Sequence, residues 1–296
     1  MTQINIMALR HSAFYSPLLM TVAGGFLREQ GLDANYTLPE SGQVIAEEIL
    51  AGRCHLAQSA VATGFAGLEC GEHSDLVHFA RINSRDGFFI AGRKPEPDFK
   101  WQNLIGKQVL VDHFFQPFAM FEYALHKQDI EISTLDVIDA GDVQSIEQAF
   151  RDGRGDYVHM QGPAPQQLEK DGIAYVVASV GEAIGPVAFS SLCARRDWLK
   201  TDMAAAFMRA YQKAQDYVLD APAAEIASRE SAAGFFPGVD LDVLTTTISA
   251  YKQMACWSRE SVIDKSEYNA LLDVFTYAGL IRQRYDYEEL IVTPLL

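Results

Sequence analysis

The sequence predicts an α/β fold in two lobes, on three observations. A strand–helix–strand–helix order can be read directly from Asn35 to Phe65. The same order returns about a hundred residues later, the mark of an internal structural repeat. Two short crossings, near 92–103 and 185–194, are followed by a long helical tail. Residues 1–92 with 189–296 are therefore expected to form one lobe, and residues 93–188 the other.

Each element has a local reason. Ile4 to Leu9 reads as a strand, Arg10 to Ser16 as a loop, and Pro17 suits the first turn of a helix. That helix, LLMTVAGGFLREQ, is expected to run unbroken to Gly31. Asn35 to Leu38 is a short strand, and Ser41 is a good N-cap for the next helix. Ile45, Ala46, Ile49 and Leu50 fall on one helical face, and Gly52 stands where the helix should stop. Cys54 to Gln58 is a strand, and Ser59-Ala60 leads into another helix. Leu76 to Arg81 and Gly87 to Ala91 are strands around Asn83-Ser84-Arg85-Asp86. RKPEPDFKWQN, Arg93 to Asn103, is polar and holds two prolines, as a crossing would.

The second lobe repeats the plan. Gln108 to Val111 is a strand, Asp112 to Gln116 a loop, and Pro117 a helix start. Val137-Ile138 is a strand, Asp142 an N-cap, and Val143 to Arg151 a helix closed by Gly153. Asp156 to His159 is a strand, and Gln161-Gly162-Pro163 opens the next helix. Pro117 follows Pro17 by 100 residues, and Gly153 follows Gly52 by 101. Ala174 to Ala178 is a strand, and Val187 to Ala194 the second apolar crossing. From Asp197 the chain is mostly helical, with an N-cap at Thr201 or Asp202, and the tail should pack back on the first lobe.

Composition narrows the function. The 296 residues are 49% hydrophobic and 21% charged, a globular balance. The formal charge of -15 and the lack of any basic run argue against nucleic-acid binding. No run approaches the length of a membrane span. MTQINIMALRH has no charged n-region or apolar h-region, so the chain as written reads as cytoplasmic. A form whose leader had been removed would read the same and would be periplasmic. Cys54, Cys70, Cys193 and Cys256 are scattered and are expected to be buried free thiols. His73 and His78 are five apart around a loop, without a companion carboxylate in a recognisable motif, and no metal site is assigned. No phosphate-binding, dinucleotide or nucleophile-elbow motif appears, and no cofactor is called for.

FLREQGLDANYTLPESGQ, AEEILAGRCHLAQ, NLIGKQVLVD, AFRDGRGDYVHMQGPAPQQLEKDG and DKSEYNALLDVFTYAGLI occur in that order. This set resembles type II periplasmic solute-binding proteins of the group that takes sulfonates, nitrate and thiamine precursors. The resemblance covers nearly the whole chain. It implies the type II binding-protein fold, two lobes that close on a small ligand, with the carboxy-terminal helices completing the first. It also implies an ABC-transporter permease as partner if the chain is exported. His55 departs from the Asp that the family often carries after its helix-to-strand glycine, whereas Asp156 keeps it.

Two enzyme groups share the fold. The fungal thiamine-pyrimidine synthase group uses a first-lobe Lys for pyridoxal phosphate and a Cys-rich motif. Here the first Lys is Lys94 and the cysteines are dispersed. The biphenyl-sulfinate desulfinase group uses a Cys in the first strand-to-helix loop, which here is RHSAFYS. GFFIAGR resembles a segment of that enzyme. A cytosolic enzyme acting on a small aromatic substrate is thus kept as the alternative.

In open α/β sheets, ligands bind beyond the carboxyl ends of strands. That rule selects Arg10 and His11 as anchors for an anionic head. Phe14, Tyr15 and Phe115, with Phe114, would hold a planar ring. Ser41, Ser59, Asn83, His113, Gln116 and Gln161 would supply hydrogen bonds, as would His159. Asp142 reads as a helix cap rather than a cleft residue. The expectation is a solute-binding protein for a planar anionic or heteroaromatic ligand, its hinge near Ala91 and Ala188.

Overall fold

The computed structural model describes residues 1–40 and 44–293, so the expected cap Ser41 lies outside the described residues. β1 (Thr2–Ala8) leads through a 3-10 turn (Ala13–Tyr15) into α1 (Ser16–Ala23) and α2 (Phe26–Glu29). Next come β2 (Leu32–Thr37), α3 (Ile45–Leu50), β3 (Leu56–Ser59), α4 (Phe65–Glu69) and β4 (Leu76–Asn83). β5 (Phe88–Gly92), β6 (Gln108–Leu110), α5 (Phe115–His126), β7 (Asp136–Ile138), α6 (Val143–Arg151) and β8 (Tyr157–Gln161) follow. Then come α7 (Ala164–Lys170), β9 (Tyr175–Ser179), α8 (Val180–Ile184) and β10 (Ser190–Arg195). The tail is α9 (Asp202–Asp220), α10 (Ala223–Ala232), α11 (Leu241–Gln253), α12 (Lys265–Tyr277) and α13 (Tyr287–Leu290).

Two five-stranded mixed sheets result, in orders β2-β1-β3-β10-β4 and β7-β6-β8-β5-β9. In the first, β1 is parallel to β2 and β3, and β10 runs antiparallel between β3 and β4. In the second, β6 is parallel to β7 and β8, and β5 lies antiparallel between β8 and β9. The inner strands β3, β5, β8 and β10 are buried on both faces, as expected where helices cover a sheet, while β2, β7 and β9 at the sheet edges are partly exposed. The chain changes sheet between β4 and β5, over residues 84–87, and returns between β9 and β10. The residues expected as an apolar crossing, Val187 to Ala194, thus include a strand, because both of its edges find partners.

Local chemistry explains the other departures. The helix expected to reach Gly31 breaks at Gly24-Gly25, where Gly25 takes φ 77 as the cap of α2. α5 begins at Phe115, which makes Phe115 and Gln116 helical and puts Pro117 in the first turn, where a missing N–H costs nothing. Thr201 caps α9 and Asp142 caps α6, each accepting from a backbone N–H three residues on. Cys54, Cys193 and Cys256 are buried, but Cys70 is exposed because α4 is short and ends there in a turn.

The tail packs on both lobes, where the family likeness implied only the first. α9 lies on α1 and α2, α11 against α7, and α12 against α5. The reason is a set of specific contacts. Phe275 meets the Phe115 ring edge-on at 5.1 Å, Tyr277 stacks on His126 at 4.1 Å, and Lys170 bridges Asp240 and Asp242, each at 2.8 Å. One apolar core therefore runs from Ile6 and Leu192 through Tyr251 and Phe275 to Val109 and Phe121.

Candidate functional site

The directions of the strands bring the two sheets together at their carboxyl ends. β1, β3 and β4 end at Leu9 to Ser12, Ser59 and Asn83, while β6, β8 and β9 end at Val111 to Phe114, Gln161 and Ser179. Arg10 crosses the gap. Its guanidinium forks onto Asp112, Nη1 to Oδ2 at 2.6 Å and Nη2 to Oδ1 at 3.2 Å. The Phe114 ring lies 4.7 Å from the Arg10 guanidinium carbon. Ser12 Oγ donates to the Gly162 carbonyl at 2.6 Å, and Gln116 Nε2 to the Phe189 carbonyl at 3.0 Å. A cavity of about 470 Å³ opens over this seam, with Arg10, His11, Ser12 and Gln161 on one part of its wall and Val143, Gln144 and Val239 on another.

Beneath it the residues are buried. Phe14 is fully buried and packs on Phe189 and Tyr251, at 5.5 Å and 4.9 Å between ring centroids. The Tyr15 hydroxyl lies between Gln161 and Ser190 and within electrostatic reach of Arg10 and Asp86; burial pushes its pKa up. Asn83 is fully buried, with Nδ2 donating to the Phe14 carbonyl at 2.7 Å. His159, also fully buried, lies between Phe88 at 4.5 Å and Phe121 at 5.0 Å. Desolvation lowers its pKa to about 3, so it is neutral.

Five of these side chains keep a buried polar atom without a hydrogen-bond partner: Asn83 Oδ1, Asp86 Oδ2, Gln116 Oε1, both nitrogens of His159, and Gln161 Nε2. Buried polar groups are nearly always paired, and each orphan costs about 1–3 kcal/mol. Asn83 and Gln161 close β4 and β8, Asp86 lies between β4 and β5, Gln116 lies in the first turn of α5 and His159 at the middle of β8, and of the five only Gln161 lines the seam cavity.

The other expected site residues have different settings. His11 Nε2 meets the Phe235 carbonyl at 2.5 Å, and Nδ1 meets the Tyr36 hydroxyl at 3.2 Å. A carbonyl only accepts, so Nε2 carries the hydrogen, and burial lowers the His11 pKa. His11 is thus a neutral strut for the turn after α10. His113 bonds its own loop at the Val111 carbonyl, 2.8 Å, and stacks on Phe118. Phe115 lies against α12. Ser59 bonds Thr63 at 3.3 Å and lines a separate cavity of about 860 Å³ over the first sheet, with His78 and Leu290. His55 accepts from the Asn5 N–H at the amino end of β3, away from the seam.

Asp86, Asp112, Ser12, Phe88 and Tyr251 were missed by sequence reasoning. Asp112 stood in the selected loop beside His113, and Asp86 in the selected turn beside Asn83. Tyr251 gave no signal, since a helical tyrosine reads as core. Among the described residues no three His, Cys, Asp or Glu side chains are grouped to hold a metal.

A family model described as NMT1/THI5 like matches residues 13–225. YtlA of Bacillus subtilis is 29% identical over 295 residues, covering 98% of this chain and 88% of that protein. The ligand-binding component of an ABC-type import system from Staphylococcus aureus superposes with a TM-score of 0.76 at 16% identity. That match covers 99% of this chain and 97% of the other. The alkanesulfonate-binding protein SsuA from Xanthomonas axonopodis pv. citri, bound to MOPS, superposes with a TM-score of 0.73 at 16% identity, covering 99% of each chain. The two mixed sheets with their flanking helices are the periplasmic-binding-protein fold. With residues 13–225 of 296 matched, the chain belongs to the NMT1/THI5-like family.

Proposed function

We propose that this protein is a solute-binding protein that closes its lobes on a small, planar, uncharged heteroaromatic molecule. The observation that carries the reading is the set of orphaned polar atoms on Asn83, Asp86, Gln116, His159 and Gln161, among which the buried rings of Phe14 and Phe88 are packed. A ring bearing both donors and acceptors would satisfy them, and its faces would meet aromatic side chains at about 0.5–1.5 kcal/mol per pair beyond burial. YtlA carries the name of a binding protein, and both structural neighbours described above are binding components, which supports the same role.

An anionic head is the less favoured ligand. Arg10, the cation expected to hold it, has both guanidinium arms on Asp112, and Asp86 adds a second carboxyl. Catalysis is also less favoured. Burial pushes the Cys54 thiol up to about 11 and the Cys193 thiol up to about 12, so neither is a nucleophilic thiolate at neutral pH. His159 has no side-chain partner to activate. In an exported form the chain would deliver its solute to an ABC-transporter permease. No helix among the described residues is long and apolar enough to cross a membrane.

Thermal shifts with cytosine, butanesulfonate and benzoate test the reading. Cytosine is expected to raise Tm, and the two anions to leave it unchanged. A rise with butanesulfonate or benzoate alone would overturn the uncharged-ring assignment. No shift with any of the three, and none with the small molecules extracted from the purified protein, would overturn solute binding.

A further inference from the structure

We infer that Asp86 is a specificity-determining contact of the cleft, its Oδ2 reserved for a hydrogen-bond acceptor on the bound solute. The inference rests on the solute-binding reading above. Asp86 is fully buried in the passage from β4 to β5, between the sheets. Its Oδ1 accepts the Phe88 N–H at 2.6 Å, and its Oδ2 has no partner. The Asp86 carbonyl touches Gly181 of α8 so closely that a Cβ there would collide with it, which fixes the backbone behind the carboxyl.

The groups that face Asp86 leave its charge uncompensated. Asp112 approaches from the loop before α5, Tyr15 from the 3-10 turn, and Cys256 from the end of α11. Tyr251 donates to the neighbouring Gly87 carbonyl at 3.1 Å, and Glu182 lies on α8 near Cys256. The two nearby cations are engaged elsewhere, Arg10 on Asp112 and Arg85 on the Gly181 carbonyl at 3.3 Å. Burial, with Asp112 adding to it, raises the Asp86 pKa to about 8. The carboxyl is then an acid at neutral pH. Since Oδ1 accepts from Phe88 and Oδ2 has no partner, the proton of that acid is assigned to Oδ2, where it requires an acceptor. Asn83 Oδ1 and Gln116 Oε1 are acceptors that need donors. The ligand class is therefore an amino- or hydroxy-substituted heterocycle with a ring nitrogen or carbonyl as acceptor.

Cytosine, uncharged across the range, serves as the probe for calorimetry at about pH 6.5 and about pH 9.5. If only the acid form binds, affinity falls roughly thirtyfold between them for a group titrating near 8. Asp86→Asn keeps a donor that cannot ionise, and its affinity should be flat across the same interval. The carboxyl ¹³C resonance that disappears in Asp86→Asn should titrate near pH 8 in the unsubstituted protein. Equal affinity at both pH values, no cytosine binding, or a resonance titrating in the ordinary carboxylate range would each overturn the assignment. Butanesulfonate or benzoate binding with no cytosine binding removes Asp86's role and leaves solute binding standing. Failure of every ligand removes solute binding, while the ¹³C titration still reports on Asp86 alone.

Discussion

Tyr251→Phe is expected to destabilise the protein by about 2–5 kcal/mol. The Tyr251 hydroxyl accepts the Gly162 N–H at 2.8 Å and donates to the Gly87 carbonyl at 3.1 Å. Tyr251 is fully buried, so removing one oxygen orphans two backbone groups at about 1–3 kcal/mol each. No water can replace the hydroxyl without room, and the position a Cβ would take at Gly162 already lies 2.6 Å from Thr247 Cγ2 and 2.9 Å from the hydroxyl itself. Urea unfolding measures the loss. Tyr217→Phe, which removes an exposed bond to Glu225, is the control and should change stability by less than about 1 kcal/mol. Equal effects of the two would contradict the role given to Tyr251, the pin by which α11 holds the second sheet.

Stability should also depend on pH in a two-sided way, set by four buried groups. Burial raises Asp86 and Glu230 to about 8 and lowers His78 and His159 to about 3. For the two acids the folded state holds a proton that the unfolded state releases above about 4, so each loses stability as pH rises from there to about 8. For the two histidines the unfolded state takes up a proton below about 6.5, so each loses stability as pH falls from there to about 3. Between about 4 and 6.5 the two pairs oppose each other, and the profile is nearly flat. Above about 6.5 only the acids act, and stability falls by on the order of 2 kcal/mol per pH unit until about 8. Below about 4 the histidines act together with carboxylates held below their ordinary range, such as Asp142 and Asp171, and stability falls further. Urea midpoints across this range check the shape, and Asp86→Asn should halve the slope on the alkaline side. A profile that rises from pH 6.5 to 8 would contradict the buried-acid assignment.

Much of the fold was legible because hydrophobic period and turn chemistry are local. Gly52 and Gly153 mark helix ends with positive φ, and Asp142 and Thr201 cap the helices they were expected to cap. The family likeness stood on motifs in order, and the matching model and two-sheet architecture agree with it. The antiparallel place of β10 was less legible. A short apolar run shows no period, and only partners on both edges made it a strand.

The candidate site was legible only as a set of loops. Strand ends could be placed, but the direction of a loop side chain depends on distant residues. Arg10 was expected to meet an anion, and the anion it meets is Asp112, 102 positions away in sequence. His11 is held by a carbonyl 224 positions away. Asp86 was passed over because an acidic residue in a turn is ordinarily solvated; its burial comes from α8, Tyr15 and the second sheet, which no local pattern encodes.

A crystal structure grown with cytosine tests the central claim most directly. The account predicts the ring between the sheets, beside Phe14 and Phe88, with Asp86 Oδ2, Gln161 Nε2 and Asn83 Oδ1 all within hydrogen-bond distance of it. Cytosine bound in the cavity beside Ser59 and His78, or a cleft whose five orphaned side chains stay unpartnered in its presence, would contradict the account.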